Sequence, residues 1–241
     1  MKDTIKIEKK GVRMVAHRGL SKLEKENTNT AFVAAANRSY WGIETDVHVT
    51  ADGKFILIHD DTTDRVCGVS YTVEQTDFET LRSIPILDTD GSAGRVDLRM
   101  PTPEEYLKIC LDYGKVSVLE LKNAFEEKDI HAIVDLIEAC GCFENVVFIS
   151  FHLNNLLVLR AYRPDANVQF LNGKRTAEEL IAIAKEHHID FDLNHAKVTP
   201  ELVDALHALG SKVNVWTVDS PEAASRMIDC GVDFITSNIL E

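Results

Sequence analysis

The 241-residue sequence is short of several things, and each shortage excludes a class. No stretch approaches the ~20 uncharged apolar residues of a membrane-spanning helix. The N-terminal MKDTIKIEKK has no apolar centre and does not read as a secretory signal, so a cytoplasmic chain without stable membrane insertion is expected. Positive charge is scarce: 26 Lys and Arg stand against 39 Asp and Glu, a formal net charge of -13. Such a balance argues against a nucleic-acid partner and fits anionic membrane surfaces poorly. It leaves an anionic small-molecule substrate open, because a bound divalent cation inverts the local field. The five cysteines (Cys67, Cys110, Cys140, Cys142 and Cys230) are odd in number and form no Cys-x-x-Cys pair, so they read as reduced thiols. There is no linker, no low-complexity tract, no Gly-x-Gly-x-x-Gly and no Gly-x-Ser-x-Gly.

What is present is a beat of strands and helices. Strand-like runs begin at Val12, Ile43, Val116, Val146, Asn167, Ile189, Lys212 and Val232, with helical runs between them. Gly114, Gly141, Gly210 and Gly231 each stand between a helical run and the next strand, where a left-handed residue ends a helix cheaply. Thr102-Pro103-Glu104-Glu105 has the form of a helix start. Phe55–Ile58 reads as an extra strand, turned back at Ala51-Asp52-Gly53. Asp61–Arg99 has no clear period and reads as an insertion or lid with one short helix over Val73–Arg82. Eight alternating units in this length predict one domain over 1–241, an α/β chain closed as a (β/α)8 TIM barrel with a small insertion after the second strand. A doubly wound open sheet is the runner-up.

In such barrels the strand C-termini carry the chemistry. Glu44 and Asp46, two apart, share one strand face; Glu120 lies at the end of the third strand. Three acids suit a hard cation, Mg²⁺ or Ca²⁺, while salt bridges with Lys122 as a partner are the plain alternative; spacing leaves both open. His17 and His59 end strands and titrate near neutrality, unlike His131, His187, His188 and His207, which fall on helices. His48, His152 and His195 are left undecided. Arg18 offers a planar fork to phosphate oxygens and Lys122 a point charge. Trp216 is a candidate pocket wall, able to face a cationic head group, or else a core residue.

His17-Arg18-Gly19, Glu26-Asn27-Thr28, Glu44-Thr45-Asp46-Val47, His59-Asp60, Glu120-Leu121-Lys122, Trp216-Thr217-Val218 and Ile235-Thr236-Ser237-Asn238 stand in an order and at spacings that span nearly the whole chain. In these segments the sequence resembles the glycerophosphodiester phosphodiesterase family. The resemblance implies an insertion of about 50–99 and a divalent metal on Glu44, Asp46 and Glu120. It implies His17 and His59 as an acid–base pair, Arg18 and Lys122 near the phosphate, and Glu26 at the mouth of the site. The implied reaction splits glycerophosphodiesters, such as glycerophosphocholine or glycerophosphoethanolamine, into glycerol 3-phosphate and an alcohol. Two segments depart from the family pattern: Asp64-Arg65-Val66-Cys67 where an Arg-Thr-Thr-like run is common, and Asp219 where Asn is frequent. The rivals are lysophospholipase D-type release of a lipid head group, a Schiff-base aldolase using Lys122, and a non-catalytic phosphodiester- or metal-binding barrel. Self-association is left open.

Overall fold

The computed structural model describes residues 3–241. β1 (Arg13–Ala16) leads through a loop of successive turns, residues 17–28, to α1 (Asn29–Ala36), whose cap is Thr28: its side chain accepts from the Ala31 N–H. Gly19 in that loop has φ +76°, and a Cβ there would lie 2.7 Å from the Ala31 carbonyl carbon, so only glycine fits. β2 (Gly42–Val49) and the short β3 (Phe55–Leu57) form the expected hairpin.

The insertion then runs through α2 (Asp64–Cys67), a 3-10 turn (Val73–Gln75) and α3 (Phe78–Ser83). The single helix expected over Val73–Arg82 is therefore two pieces. Thr76 and Asp77 are extended, and the Asp77 carboxylate accepts from the Thr80 N–H, so it starts a new helix instead of continuing the old one. The insertion has its own small core, with Val66, Val73, Leu81, Ile86, Leu98 and Met100 packed on Ile56 and Ile58. His48 of β2, fully buried, pairs with Glu74 at 3.0 Å and ties the insertion to the barrel.

From α4 (Pro103–Asp112) the alternation is regular: β4 (Val116–Leu121), α5 (Glu127–Ala139), β5 (Val146–Ser150), α6 (Leu153–Tyr162), β6 (Asn167–Asn172), α7 (Ala177–His187), β7 (Asp190–Asn194), α8 (Pro200–His207), β8 (Val213–Trp216), α9 (Pro221–Asp229) and β9 (Phe234–Ser237). Thr102 caps α4 with a full capping box to Glu105, as its sequence predicts. Eight parallel strands run in the order β1-β9-β8-β7-β6-β5-β4-β2, and β1 pairs with β2 to close the ring. The fold is the expected (β/α)8 barrel. β2 is long enough to do two jobs. Gly42–Val47 pair with β4 inside the barrel, and Val47–Val49 pair antiparallel with β3 beyond it.

The main core lies between strands and helices, and includes Phe32, Tyr106, Phe148, Phe170 and Phe191. A smaller cluster fills the barrel axis: Val15, Val118, Val147, Ile149 and Leu171. All five cysteines are free; Cys140 is partly exposed and the other four are buried. Among the described residues no helix is long and apolar enough to cross a membrane.

Candidate active site

Strand alternation puts Glu44, Asp46 and Glu120 on the barrel's inner face, and Asp46 stands level with Glu120 in the β2–β4 register. One carboxylate oxygen from each lies within 4.8 Å of the others, and all three residues are at most 7% exposed. Two cations border them. Arg18 Nε lies 3.6 Å from Asp46 Oδ2; Lys122 Nζ lies 3.4 Å from Asp46 Oδ1 and 2.8 Å from Glu120 Oε1. Asn27 donates to Asp46 Oδ2 at 2.8 Å. Arg18 has φ +55°, a costly conformation for a side-chain-bearing residue, and its backbone N–H donates to Glu44 Oε2 at 2.8 Å.

Three acids against two cations leaves an excess of buried negative charge. Burial, and then Asp46 and Glu120, push the Glu44 pKa well up. Burial and Asp46 push Glu120 to about 8. Asp46 goes the other way: burial works against its charge, but Lys122 and Arg18 outweigh it and hold the carboxyl below its usual range. Asp46 Oδ1 is buried with no hydrogen-bond partner. A hard divalent cation would satisfy that oxygen and relieve the repulsion, so the donor set fits one. Lys122 is raised, not lowered: burial opposes its charge, and Asp46 and Glu120 overcome it. An amine held protonated in this way is poorly suited to Schiff-base chemistry.

The two histidines are held differently. His17 Nδ1 lies 2.8 Å from Asn238 Oδ1. The Asn238 amide is oriented by Asp219, which accepts from its Nδ2 at 2.6 Å and its backbone N–H at 2.8 Å. A carboxylate can only accept, so Asn238 presents its oxygen to His17, and His17 carries its proton on Nδ1. Burial, and then the Arg18 charge, lower the His17 pKa to about 4. His59 Nδ1 instead faces the Asp60 carboxylate at 2.6 Å. Burial lowers the His59 pKa too, while Asp46 and Asp60 favour its charged form. Asp60 is gripped by Arg65, whose guanidinium also reaches both oxygens of Glu26 at 2.8 Å, and Glu26 accepts from Arg18 at 2.9 Å.

His17, Arg18, Glu44, His59, Glu120 and Trp216 therefore line one cavity of about 160 Å³, together with Ile149, Phe151, Leu171, Asp192, Thr217 and Thr236. Phe151 meets Trp216 edge-on, with ring centres 5.6 Å apart. Asp46 and Lys122 do not line it, but both adjoin Glu120, which does. Glu26 is engaged by two guanidinium groups and is not part of the cavity lining. Asp60 and Asn238 stood in segments that carry the resemblance but were given no site role, and Arg65, Asp219 and Asp192 were given none either. Arg65 and Asp219 fell in the two segments that depart from the family pattern, which was the available signal; Asp192 gave none. His195 lies near Arg226 and His152 precedes α6; neither lines this cavity.

The model of the Glycerophosphoryl diester phosphodiesterase family matches residues 17–240. The glycerophosphodiester phosphodiesterase of Caldanaerobacter subterraneus subsp. tengcongensis is 32% identical over 233 residues, 93% of each chain. Among solved structures, an Oleispira antarctica phosphodiesterase in complex with the product sn-glycerol-3-phosphate superposes with a TM-score of 0.82 at 22% identity, over 94% of this chain and 92% of that one. A glycerophosphodiester phosphodiesterase of Parabacteroides distasonis gives 0.77 at 25% identity, over 98% and 94%.

Proposed function

The chain belongs to the Glycerophosphoryl diester phosphodiesterase family, and on that premise we propose that it hydrolyses glycerophosphodiesters such as glycerophosphocholine or glycerophosphoethanolamine to glycerol 3-phosphate and an alcohol. Residues 1–241 act in this reading as one barrel domain with its insertion, in the cytoplasm, where the five free thiols are at home. The carrying observation is the convergence of the Glu44–Asp46–Glu120 cluster with two imidazoles in one cavity.

Glu44, Asp46 and Glu120 would hold one Mg²⁺ or Ca²⁺. When bound, the cation supplies charge neutralisation at non-bridging phosphoryl oxygens. His17, neutral at pH 7 with its proton on Nδ1, takes a proton from the nucleophile at Nε2. The nucleophile's oxygen bonds to phosphorus, the bond to the alcohol oxygen breaks, and His59 delivers a proton to the departing oxygen; burial lowers the His59 pKa, and Asp60 on its Nδ1 works against that shift. Arg18 and Lys122 stabilise charge on the phosphoryl group. Either water or the glycerol 2-hydroxyl serves as nucleophile; the second route gives a cyclic phosphate that water opens. Cleavage of a substrate without the 2-hydroxyl separates them. The test of the whole reading is glycerol 3-phosphate release with and without EDTA. Activity abolished by EDTA and restored by Mg²⁺ or Ca²⁺ is expected; activity indifferent to EDTA removes the metal from the reading.

Head-group release from a lysophospholipid is the second reading, because Val69, Tyr71 and Val96 of the insertion are exposed apolar side chains. The cavity of about 160 Å³ favours the small diester. Faster turnover of lysophosphatidylcholine than of glycerophosphocholine would reverse that order.

A further inference from the structure

Asp192 is a buried acid that the chemistry above does not use. Its neighbours in β7, Phe191 and Leu193, pack outward into the main core, so Asp192 faces the barrel interior, where it lines the cavity beside Leu171 and Trp216. It is 2% exposed, and its Oδ1 makes no hydrogen bond. The polar groups on adjacent strands do not relieve it. Asn214 donates to Gln169 at 3.3 Å and accepts from Thr236 at 3.2 Å. The Trp216 indole N–H reaches the Asp192 backbone carbonyl at 3.2 Å, not the carboxyl. Burial, with the Glu120 charge added, pushes the Asp192 pKa well up. A buried carboxyl with no protein partner weakens the fold, and such groups persist where a ligand completes them.

We propose that Asp192 is a specificity-determining residue whose carboxyl accepts a hydrogen bond from a hydroxyl of the glycerol moiety, so that the site selects a polyol phosphate over a plain alkyl phosphate. The proposal rests on the phosphodiesterase reading and adds a subsite to it. Either protonation state of the carboxyl offers an acceptor oxygen. The depth of the residue favours the glycerol side: Phe151, 45% exposed, marks the rim, and Asp192 lies inside it. The constant half of the substrate belongs in the enclosed part and the variable alcohol at the rim.

Binding separates this from catalysis. With Mg²⁺ or Ca²⁺ present, calorimetry compares glycerol 3-phosphate, propyl phosphate and phosphoethanolamine on the wild type and on Asp192→Leu, Asp192→Ala and Asp192→Asn. The wild type should prefer glycerol 3-phosphate to propyl phosphate by about 10- to 100-fold. Asp192→Leu and Asp192→Ala should reduce that ratio to about 3 or less, while Asp192→Asn, which keeps an acceptor, should retain most of it. Asp192→Leu should also melt higher than the wild type, since it removes a buried unsatisfied polar group. A ratio unchanged in the Leu or Ala variant overturns the proposal, as does equal weakening of both ligands. Weakening confined to phosphoethanolamine would put the carboxyl on the head-group side and also overturn it. A wild type that shows the polyol preference but cleaves no glycerophosphodiester would instead sink the phosphodiesterase reading and leave the subsite standing.

Discussion

The two walls of the cavity are built by different means. The wall from β1, β2, β4 and the end of the β3 hairpin is charged, and every group on it is held by another group. Arg18 spans Glu26 and Asp46, Lys122 spans Asp46 and Glu120, Asn238 holds His17, and Asp60 holds His59. The wall from β5 to β8 is mostly apolar: Ile149, Leu171, Phe151 and Trp216 make up its surface, with Trp216 edge-on to Phe151, and the Asp192 carboxyl is set among them. Hydrogen-bonded networks fix direction, which bond-breaking needs; packed side chains fix shape, which selection needs. The difference predicts that damage to the first wall appears in turnover and metal binding, and damage to the second in substrate affinity.

The comparison is tested hardest at Asp46, which touches both cations and the acid cluster. Asp46→Ala should lower kcat by roughly a thousandfold or more and abolish Mg²⁺ or Ca²⁺ binding in equilibrium dialysis. Retained metal affinity would take Asp46 out of the metal site. Next in size is His17→Ala. A kcat loss of roughly 10²- to 10⁴-fold is expected with metal affinity unchanged, because in the proposed reaction the imidazole moves a proton and is not a metal ligand. If metal affinity fell with turnover, the charged wall could not be divided into metal-holding and proton-moving parts.

On the apolar wall the expected signature changes kind. Trp216→Ala should raise KM for glycerophosphocholine by roughly 5-fold, the size of an exposed-to-partly-desolvated cation–π contact, and leave kcat within about 3-fold. A substrate with an uncharged alcohol should show a smaller KM change. A collapse of kcat at constant KM would show that the two walls are not separable.

The walls also differ in how far they could be read from sequence. The charged wall sits in short contiguous segments, and period-two alternation alone puts Glu44 and Asp46 on one face. Strand and helix order was equally legible, because glycine precedes four of the strands and Thr-Pro or Ser-Pro opens three of the helices. The apolar wall was not: Ile149 and Leu171 at strand ends look like any buried aliphatic, and only Trp216 stood out. Asp60 adjoins His59 in the sequence, but the way His17 is supported was hidden for a different reason. Asn238 and Asp219 lie more than 200 residues from His17, and closure of the barrel between β9 and β1 is what brings them together. The helix expected over Val73–Arg82 failed because the side-chain cap at Asp77 outcompetes a periodic apolar pattern.

The smallest expected effect concerns stability and not activity, and it draws the same line between the walls. Arg65 joins Glu26 and Asp60 on the charged side. Burial opposes the charge on both acids, but Arg65, with Arg18 on Glu26 and His59 on Asp60, holds each carboxyl down to about 2, from usual values of 4.5 and 3.8. A depressed carboxylate stabilises the fold at pH above its unfolded value, and that stability is lost as pH falls toward the folded value. The window is therefore roughly pH 4.5 down to 2. Arg65 is 46% exposed, so solvent screening reduces the sum to about 1–2 kcal/mol. Arg65→Met should cost that much at pH 6 in urea unfolding, and the cost should shrink toward zero as the pH is taken down to 2. Trp216→Ala should carry a cost that does not change across the same range, because packing loss has no proton linkage. A pH-independent cost for Arg65→Met would mean that its aliphatic stem, not its charge, stabilises this side of the barrel.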